Sequence, residues 1–115
     1  MKKREVRLSP AMQRAIRELS KRFPHITDDF KPLLDNLKAG ENLGDALPGF
    51  SRRVYKVRVP SSDQRRGKRG GFRVVYYLIS EDHRVYLLTM YAKSRQENIR
   101  MGKINSLIQR LRDSL

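Results

Sequence analysis

Apolar positions along the chain follow two different periods. Up to about residue 40 they recur at helical spacing, and from Arg52 to Tyr91 they alternate or run together as in strands. Glu5-Val6-Arg7-Leu8 reads as a short opening strand. Ser9-Pro10 then supplies an N-cap and a first helical residue. Met12, Ala15, Ile16, Leu19 and Phe23 form one stripe, and Pro24 ends that helix. A second helix is expected from Thr27 to Asp29 onward, burying Phe30, Leu33, Leu34 and Leu37 and stopping at Gly40. Pro32 then belongs in its first turn. Residues 40 to 51 read as a connector rich in Gly, Asn, Asp and Pro.

The strand region predicts three runs: Arg52 to Val59, Gly71 to Ile79 and Val85 to Tyr91. The middle run, Val74-Val75-Tyr76-Tyr77-Leu78-Ile79, is almost continuously apolar, as a strand buried on both faces would be. Short connectors make an antiparallel meander the simplest pairing. From about Gln96 to Asp113, Ile104, Leu107, Ile108 and Leu111 mark a closing helix. The expected class is α+β: a small antiparallel sheet of about four strands, with two N-terminal helices and a C-terminal helix packed on it. Residues 1–115 read as a single domain.

Charge narrows the class of partner. Twenty-six Lys and Arg against 12 Asp and Glu leave a net charge of +14 and a pI near 10.8. A compact domain so positive attracts polyanions at long range. Nucleic acid is the leading partner, an acidic protein the next, and a membrane surface a poor third, since no basic amphipathic helix has a broad apolar face. The chain has no cysteine, so disulfides and thiolate chemistry are excluded. No apolar run approaches the roughly 18 residues of a membrane span. The basic start, Met1 to Arg4, is not followed by a signal-peptide stretch, and a cytoplasmic location is expected.

Strand parity singles out candidate residues. In Arg52–Val59 the core-facing set is Tyr55, Val57 and Val59, which leaves Lys56 and Arg58 on the opposite, open face. Two residues apart on one face, their Cβ atoms stand about 7 Å apart, a spacing suited to one phosphate. Arg73 near the turn end of the next strand, expected to be exposed, and Lys93 at the end of the third strand can reach the same place. Arg65, Arg66, Lys68 and Arg69 form a basic turn between strands. Gly67-Lys68-Arg69-Gly70 has the GxxG form of KH-domain loops but joins two strands rather than two helices, and it reads as a hairpin turn whose cations grip a phosphate backbone. Solvated surface charge is the plain alternative for all of these cations. His25 and His83 lie far apart, Asp28-Asp29 reads as helix capping, and Glu81-Asp82 as turn chemistry. No metal site or cofactor is expected.

Such residues suffice for RNA cleavage through the 2′-hydroxyl, which needs a base, stabilisation of the phosphorane charge and a proton for the leaving oxygen. Arginine stays protonated and serves only as charge stabiliser, the part of Arg58 and Arg73. A lysine crowded by cations loses its proton more easily, which makes Lys56 or Lys93 the candidate base or acid. Tyr91 is an alternative proton donor or a stacking surface, and Tyr76 and Tyr77 are expected in the core.

The same segments carry a family resemblance. Val54-Tyr55-Lys56-Val57-Arg58-Val59, then Arg66-Gly67-Lys68-Arg69-Gly70-Gly71-Phe72-Arg73-Val74-Val75-Tyr76-Tyr77, then Leu87-Leu88-Thr89-Met90-Tyr91-Ala92-Lys93-Ser94 resemble the RelE/ParE toxin superfamily, and most nearly its HigB-type branch. The likeness spans about residues 28 to 108. It implies a RelE-like fold and a toxin of a type II toxin–antitoxin pair, a metal-independent, ribosome-dependent endoribonuclease that cleaves mRNA in the decoding site. Its catalytic positions carry over to Lys56, Arg58, Arg73 and Lys93, with Arg95 as a further RNA contact beside Arg65, Arg66, Lys68, Arg69 and Tyr91, which the residues themselves suggest. RelE-type toxins also use a tyrosine in the C-terminal segment, and here Glu97 to Gly102 has none. The implied partners are a cognate antitoxin with a helix-turn-helix region, the ribosome and mRNA. Two other readings stay open: a ParE-like gyrase inhibitor, against which the sheet cations argue, and a non-catalytic RNA-binding module.

Overall fold

A computed structural model of the chain describes residues 3–64, 70–79, 83–96 and 98–115. Its elements, in order, are β1 (Glu5–Leu8), α1 (Pro10–Ser20), α2 (Ile26–Lys38), β2 (Asp45–Ala46), β3 (Val54–Val59), β4 (Phe72–Ile79), β5 (Arg84–Ala92) and α3 (Met101–Ser114). The strands form one sheet in the order β1-β5-β4-β3-β2. The class is α+β as expected, with two refinements. β1 runs parallel to β5, so the sheet is mixed, and β2 adds a fifth strand in what read as a bare connector. Gly44 makes that strand possible. At φ +88° it lies so close to the Lys56 carbonyl that any Cβ would collide with it.

Helix boundaries shift for local reasons. α1 ends at Ser20, yet Phe23 is buried beyond it, edge-to-face on Phe72 at 5.1 Å. α2 starts earlier than expected, at Ile26, with His25 at the N-cap and no side-chain cap. Pro32 therefore lies inside the helix rather than in its first turn. Its missing N–H removes one helical bond, at a typical cost of about 3 kcal/mol. Burial of Phe30, Leu33 and Leu37 holds the helix in place nonetheless. Asp29 is not a cap either. Its Oδ2 accepts from the Ser62 amide and hydroxyl, at 2.9 and 3.2 Å. α3 begins at Met101, five residues later than the sequence suggested.

The sheet separates two apolar layers. On one face, α1 and α2 contribute Met12, Ile26, Phe30, Leu33 and Leu37 against Val59, Phe72, Val74, Tyr76, Leu87 and Met90. On the other, α3 sets Ile104, Leu107 and Leu111 against Val54, Val75, Tyr77, Tyr86 and Leu88. The four central residues of β4, Val74 to Tyr77, are buried on alternating faces, as its continuous apolar run predicts. Tyr76 stacks on Tyr55 at 5.3 Å and donates to the Leu43 carbonyl, which ties the connector to the sheet.

One irregularity sets the parity of β5. The β4–β5 register passes from Val75↔Thr89 to Tyr76↔Leu87, so Leu88 is an extra residue, a β-bulge. Before it, Val85 and Leu87 face the α1–α2 layer; after it, Met90 and Ala92 do. Ser9 holds the bulge. Its hydroxyl donates to the Leu88 carbonyl at 2.9 Å and accepts from the Met12 amide at 3.0 Å, while its own amide donates to Leu87 O at 3.0 Å. The residue is buried, so no water replaces these bonds.

At the other end of the α1–α2 layer, the Asp63 carboxylate accepts from both the His25 amide (2.9 Å) and its Nδ1 (2.7 Å). With the Asp29–Ser62 bonds, this clamps the start of the β3–β4 loop to α2. The bond from Asp63, and then its charge, hold the His25 imidazolium above its usual range, and the reciprocal bond from His25 lowers Asp63.

Ser9→Ala removes a helix cap and orphans a buried carbonyl. It is expected to destabilise the chain by about 2–3 kcal/mol in urea denaturation, and a loss below about 0.5 kcal/mol would deny Ser9 this role. The clamp gives a pH signature. The His25 contribution is full below about pH 6.5 and fades as pH rises through its raised value, and the Asp63 contribution is full above about pH 4 and fades as pH falls through its lowered one. The Tm difference between the parent and Asp63→Asn should therefore be largest near pH 5 and shrink by pH 8; a flat difference would contradict the clamp.

Candidate functional site

α3 covers only part of its face of the sheet. Its apolar cluster takes in Val54, Val75, Tyr77, Tyr86 and Leu88, and the cations lie beside and beyond Val75 on that face. The strand register aligns them. Arg58 on β3 is the Cα partner of Arg73 on β4, and Arg73 is the partner of Tyr91 on β5. The next row inward is Lys56, Val75 and Thr89. Three of the four proposed catalytic cations, Lys56, Arg58 and Arg73, thus share one face, as their parity predicts. Two arginines directly opposite one another repel, so the row is one that a bound anion relieves.

Each member is held differently. Arg58 is exposed, while Lys56 and Arg73 are half-buried. The expectation of a freely exposed Arg73 is therefore corrected. Its Nη1 donates to the carbonyls of Gly70 and Phe72, both at 3.3 Å, and so also supports the base of the hairpin. Gly71, at φ +84°, permits that base, since a Cβ there would meet the Val59 carbonyl. Lys56 Nζ donates to Asn98 Oδ1 at 3.1 Å.

Tyr91 is 7% exposed, and its hydroxyl has no hydrogen-bond partner among the described residues. Burial raises its phenol above the ordinary value, and the Arg73 charge opposes that shift. The bulge at Leu88 decides its place, because without the extra residue Tyr91 would point to the α1–α2 layer.

Lys93 follows β5 directly. Its amide donates to Gly71 O at 3.0 Å, which extends the ladder by one residue, and it is half-buried at the rim of the row. Arg95 is exposed in the next turn. It lines a cleft of about 250 Å³ with Tyr91, Phe23 and Arg22, between α1 and the end of β5. Arg65, Arg66, Lys68 and Arg69 lie outside the described residues, as do Glu81 and Asp82. His25 and His83 are not in the row: His25 caps α2, and His83 is exposed ahead of β5. Among the described residues no cluster of His, Cys, Asp or Glu is able to hold a metal ion, and no helix is long and apolar enough to cross a membrane.

Sequence reasoning missed Asn98, because the stretch from Gln96 was read as helix. The available signal was Asn98 itself, a residue that favours turns ahead of helices. Thr89 was missed because its face depends on the bulge.

No protein-family profile matches the chain. Among solved structures it is similar to the E. coli toxin RelE, determined in the free state as a double arginine-to-alanine variant. The TM-score is 0.57 at 21% sequence identity, over 83% of this chain and 88% of that one. The fold is RelE-like. At this identity the likeness is one of architecture, and the RelE-like sheet is what brings Arg58, Arg73 and Tyr91 into one row.

A buried, partnerless hydroxyl costs stability. Tyr91→Phe is therefore expected to raise the unfolding free energy by about 1 kcal/mol. A clear loss in urea denaturation would contradict this.

Proposed function

We propose that this chain is the toxin of a type II toxin–antitoxin pair and acts as a ribosome-dependent endoribonuclease on mRNA. The observation that carries the reading is the cross-strand row of Arg58, Arg73 and Tyr91, with Lys56 beside it, on the uncovered end of a RelE-like sheet. The solved protein with this fold is a toxin by name, and the motifs around Lys56, Arg73 and Lys93 resemble the HigB-type branch most nearly. The net charge of +14 fits an RNA substrate within an RNA-rich particle.

In this reading a phosphate of the mRNA sits over the arginine row. The 2′-oxygen attacks phosphorus and the bond from phosphorus to the 5′-oxygen breaks, leaving a 2′,3′-cyclic phosphate and a 5′-hydroxyl. Lys56 or Lys93 takes the proton of the 2′-hydroxyl, and the other supplies one to the leaving oxygen. Arg58 and Arg73 oppose the charge that grows on the phosphorane. Tyr91 presents a ring edge or its hydroxyl to the nucleotide. No step uses a metal. The physiological partner is an antitoxin with a helix-turn-helix region, and the chain works in the cytoplasm, where ribosomes are.

The test is to incubate the purified chain with mRNA, with and without ribosomes, and to map new 5′ ends by primer extension. Cuts are expected only with ribosomes. Arg58→Ala and Arg73→Ala should each lower the rate by on the order of 100- to 1,000-fold. Arg73→Ala should also lower Tm slightly, since it releases the Gly70 and Phe72 carbonyls. No cuts in either condition would overturn the reading, and inhibition of DNA gyrase or binding of RNA without cleavage would then be measured in its place.

A further inference from the structure

The chain leaves β5 and crosses the edge of the open face before α3 begins, and Asn98 is fixed on that crossing. Its Oδ1 accepts from two donors at once, its neighbour Ile99 N at 3.0 Å and Lys56 Nζ at 3.1 Å. Two donors at one atom determine which end of the amide faces Lys56. The Asn98 carbonyl is held too, by Gln96 Nε2 at 2.9 Å. Ile99 packs against the α3 layer and anchors the crossing from the other side.

Among the described residues, the charged groups around Lys56 are Arg58 two residues along β3, Asp45 opposite it on β2, and Arg73 diagonally across on β4. Asp45 is the nearby carboxylate by register, yet among the described residues it makes no ion pair with Lys56. The ammonium donates instead to the neutral amide oxygen of Asn98. A carboxylate at that place would orient the lysine but also stabilise its charged form and hold its proton. A neutral oxygen orients it with less stabilisation of the charged form.

From this geometry we infer that Asn98 is a positioning residue, which aims Lys56 at the phosphate held by the arginine row while leaving the lysine free to exchange its proton. This rests on the reading of the row as an RNA-cleaving site and adds a member to it. Asn98 touches no substrate and acts through Lys56. Lysine has four rotatable bonds, and a tether at its tip replaces a fan of rotamers with one position.

Two variants separate positioning from folding. Asn98→Asp keeps an oxygen for the Ile99 amide, so the start of α3 is preserved, and it places a negative charge on Lys56. Asn98→Ala removes both bonds. The pH dependence of ribosome-dependent cleavage would be measured for the parent and both variants, and the titration of the Lys56 side chain followed by NMR in the same three chains without ribosomes. In Asn98→Asp the Lys56 titration and one limb of the pH–rate profile are expected to move together to higher pH by about one unit, with Tm unchanged. In Asn98→Ala the rate is expected to fall on the order of 10- to 100-fold with ribosome affinity retained. An unmoved Lys56 titration in Asn98→Asp, or a parent-like rate and profile in Asn98→Ala, would overturn the inference. If the NMR titration moves but the parent chain cuts no mRNA, the contact stands, while the catalytic reading, and with it this role for Asn98, falls.

Discussion

Ser9 holds two places at once. Its hydroxyl caps α1 through the Met12 amide and satisfies the Leu88 carbonyl that the β-bulge takes out of the ladder. Both bonds are buried, so each backbone group would be left without a partner if the other half of the arrangement were absent. The consequence reaches the other face of the sheet. The side-chain period of a strand is two, so a single extra residue at Leu88 transfers everything after it to the opposite face. Thr89 and Tyr91 join Lys56, Arg58 and Arg73 because of that residue, while Met90 and Ala92 fill the α1–α2 layer. A helix cap near the N-terminus thus determines which side chains of β5 border the cation row.

A sheet is a suitable support for such a row. Flexible loops bearing the same cations would separate them, since like charges repel and chain entropy favours the separation. Here the opposition of Arg58 and Arg73 is enforced by paired backbone bonds between β3 and β4, and beneath them by the burial of Val59, Phe72 and Val74. The energy of holding them together is supplied by the fold, so an anion that arrives finds donors already in place. The Tyr91 phenol, buried beside Arg73 and without a partner among the described residues, is a polar group kept in this row at some cost to stability.

Most of the fold was legible in the sequence because apolar period and turn residues act locally. The Ser9-Pro10 start, the buried run of β4 and the parity that places Lys56 and Arg58 together all follow from near neighbours. What escaped depended on distant ones. β1 pairs with β5 across some 79 residues of sequence, and no local pattern states that pairing. The bulge at Leu88 leaves no mark in a run of apolar residues that reads as strand in either register. Pro32 looked like a first-turn residue because the helix start was placed by Asp28 and Asp29, which in the structure are not caps. In the candidate site, the cations were visible as charges in a β pattern, whereas Asn98 was concealed inside an expected helix.

The boundary of α3 accounts for that last omission and for the shape of the site. Had the helix begun at about Gln96, it would have carried a further turn and a half of side chains toward the open end of the face. It begins instead at Met101, and its apolar cluster is with Val54, Val75, Tyr77, Tyr86 and Leu88. Asn98 and Ile99 lie ahead of the Arg100 N-cap, and the Asn98 amide oxygen accepts from the Ile99 N–H and the Lys56 ammonium. A continuous helix would have satisfied the Ile99 amide internally and turned Asn98 into one more surface position. The late start of α3 is therefore what leaves Asn98 outside the helix, beside the cation row, with its amide oxygen as the acceptor for Lys56.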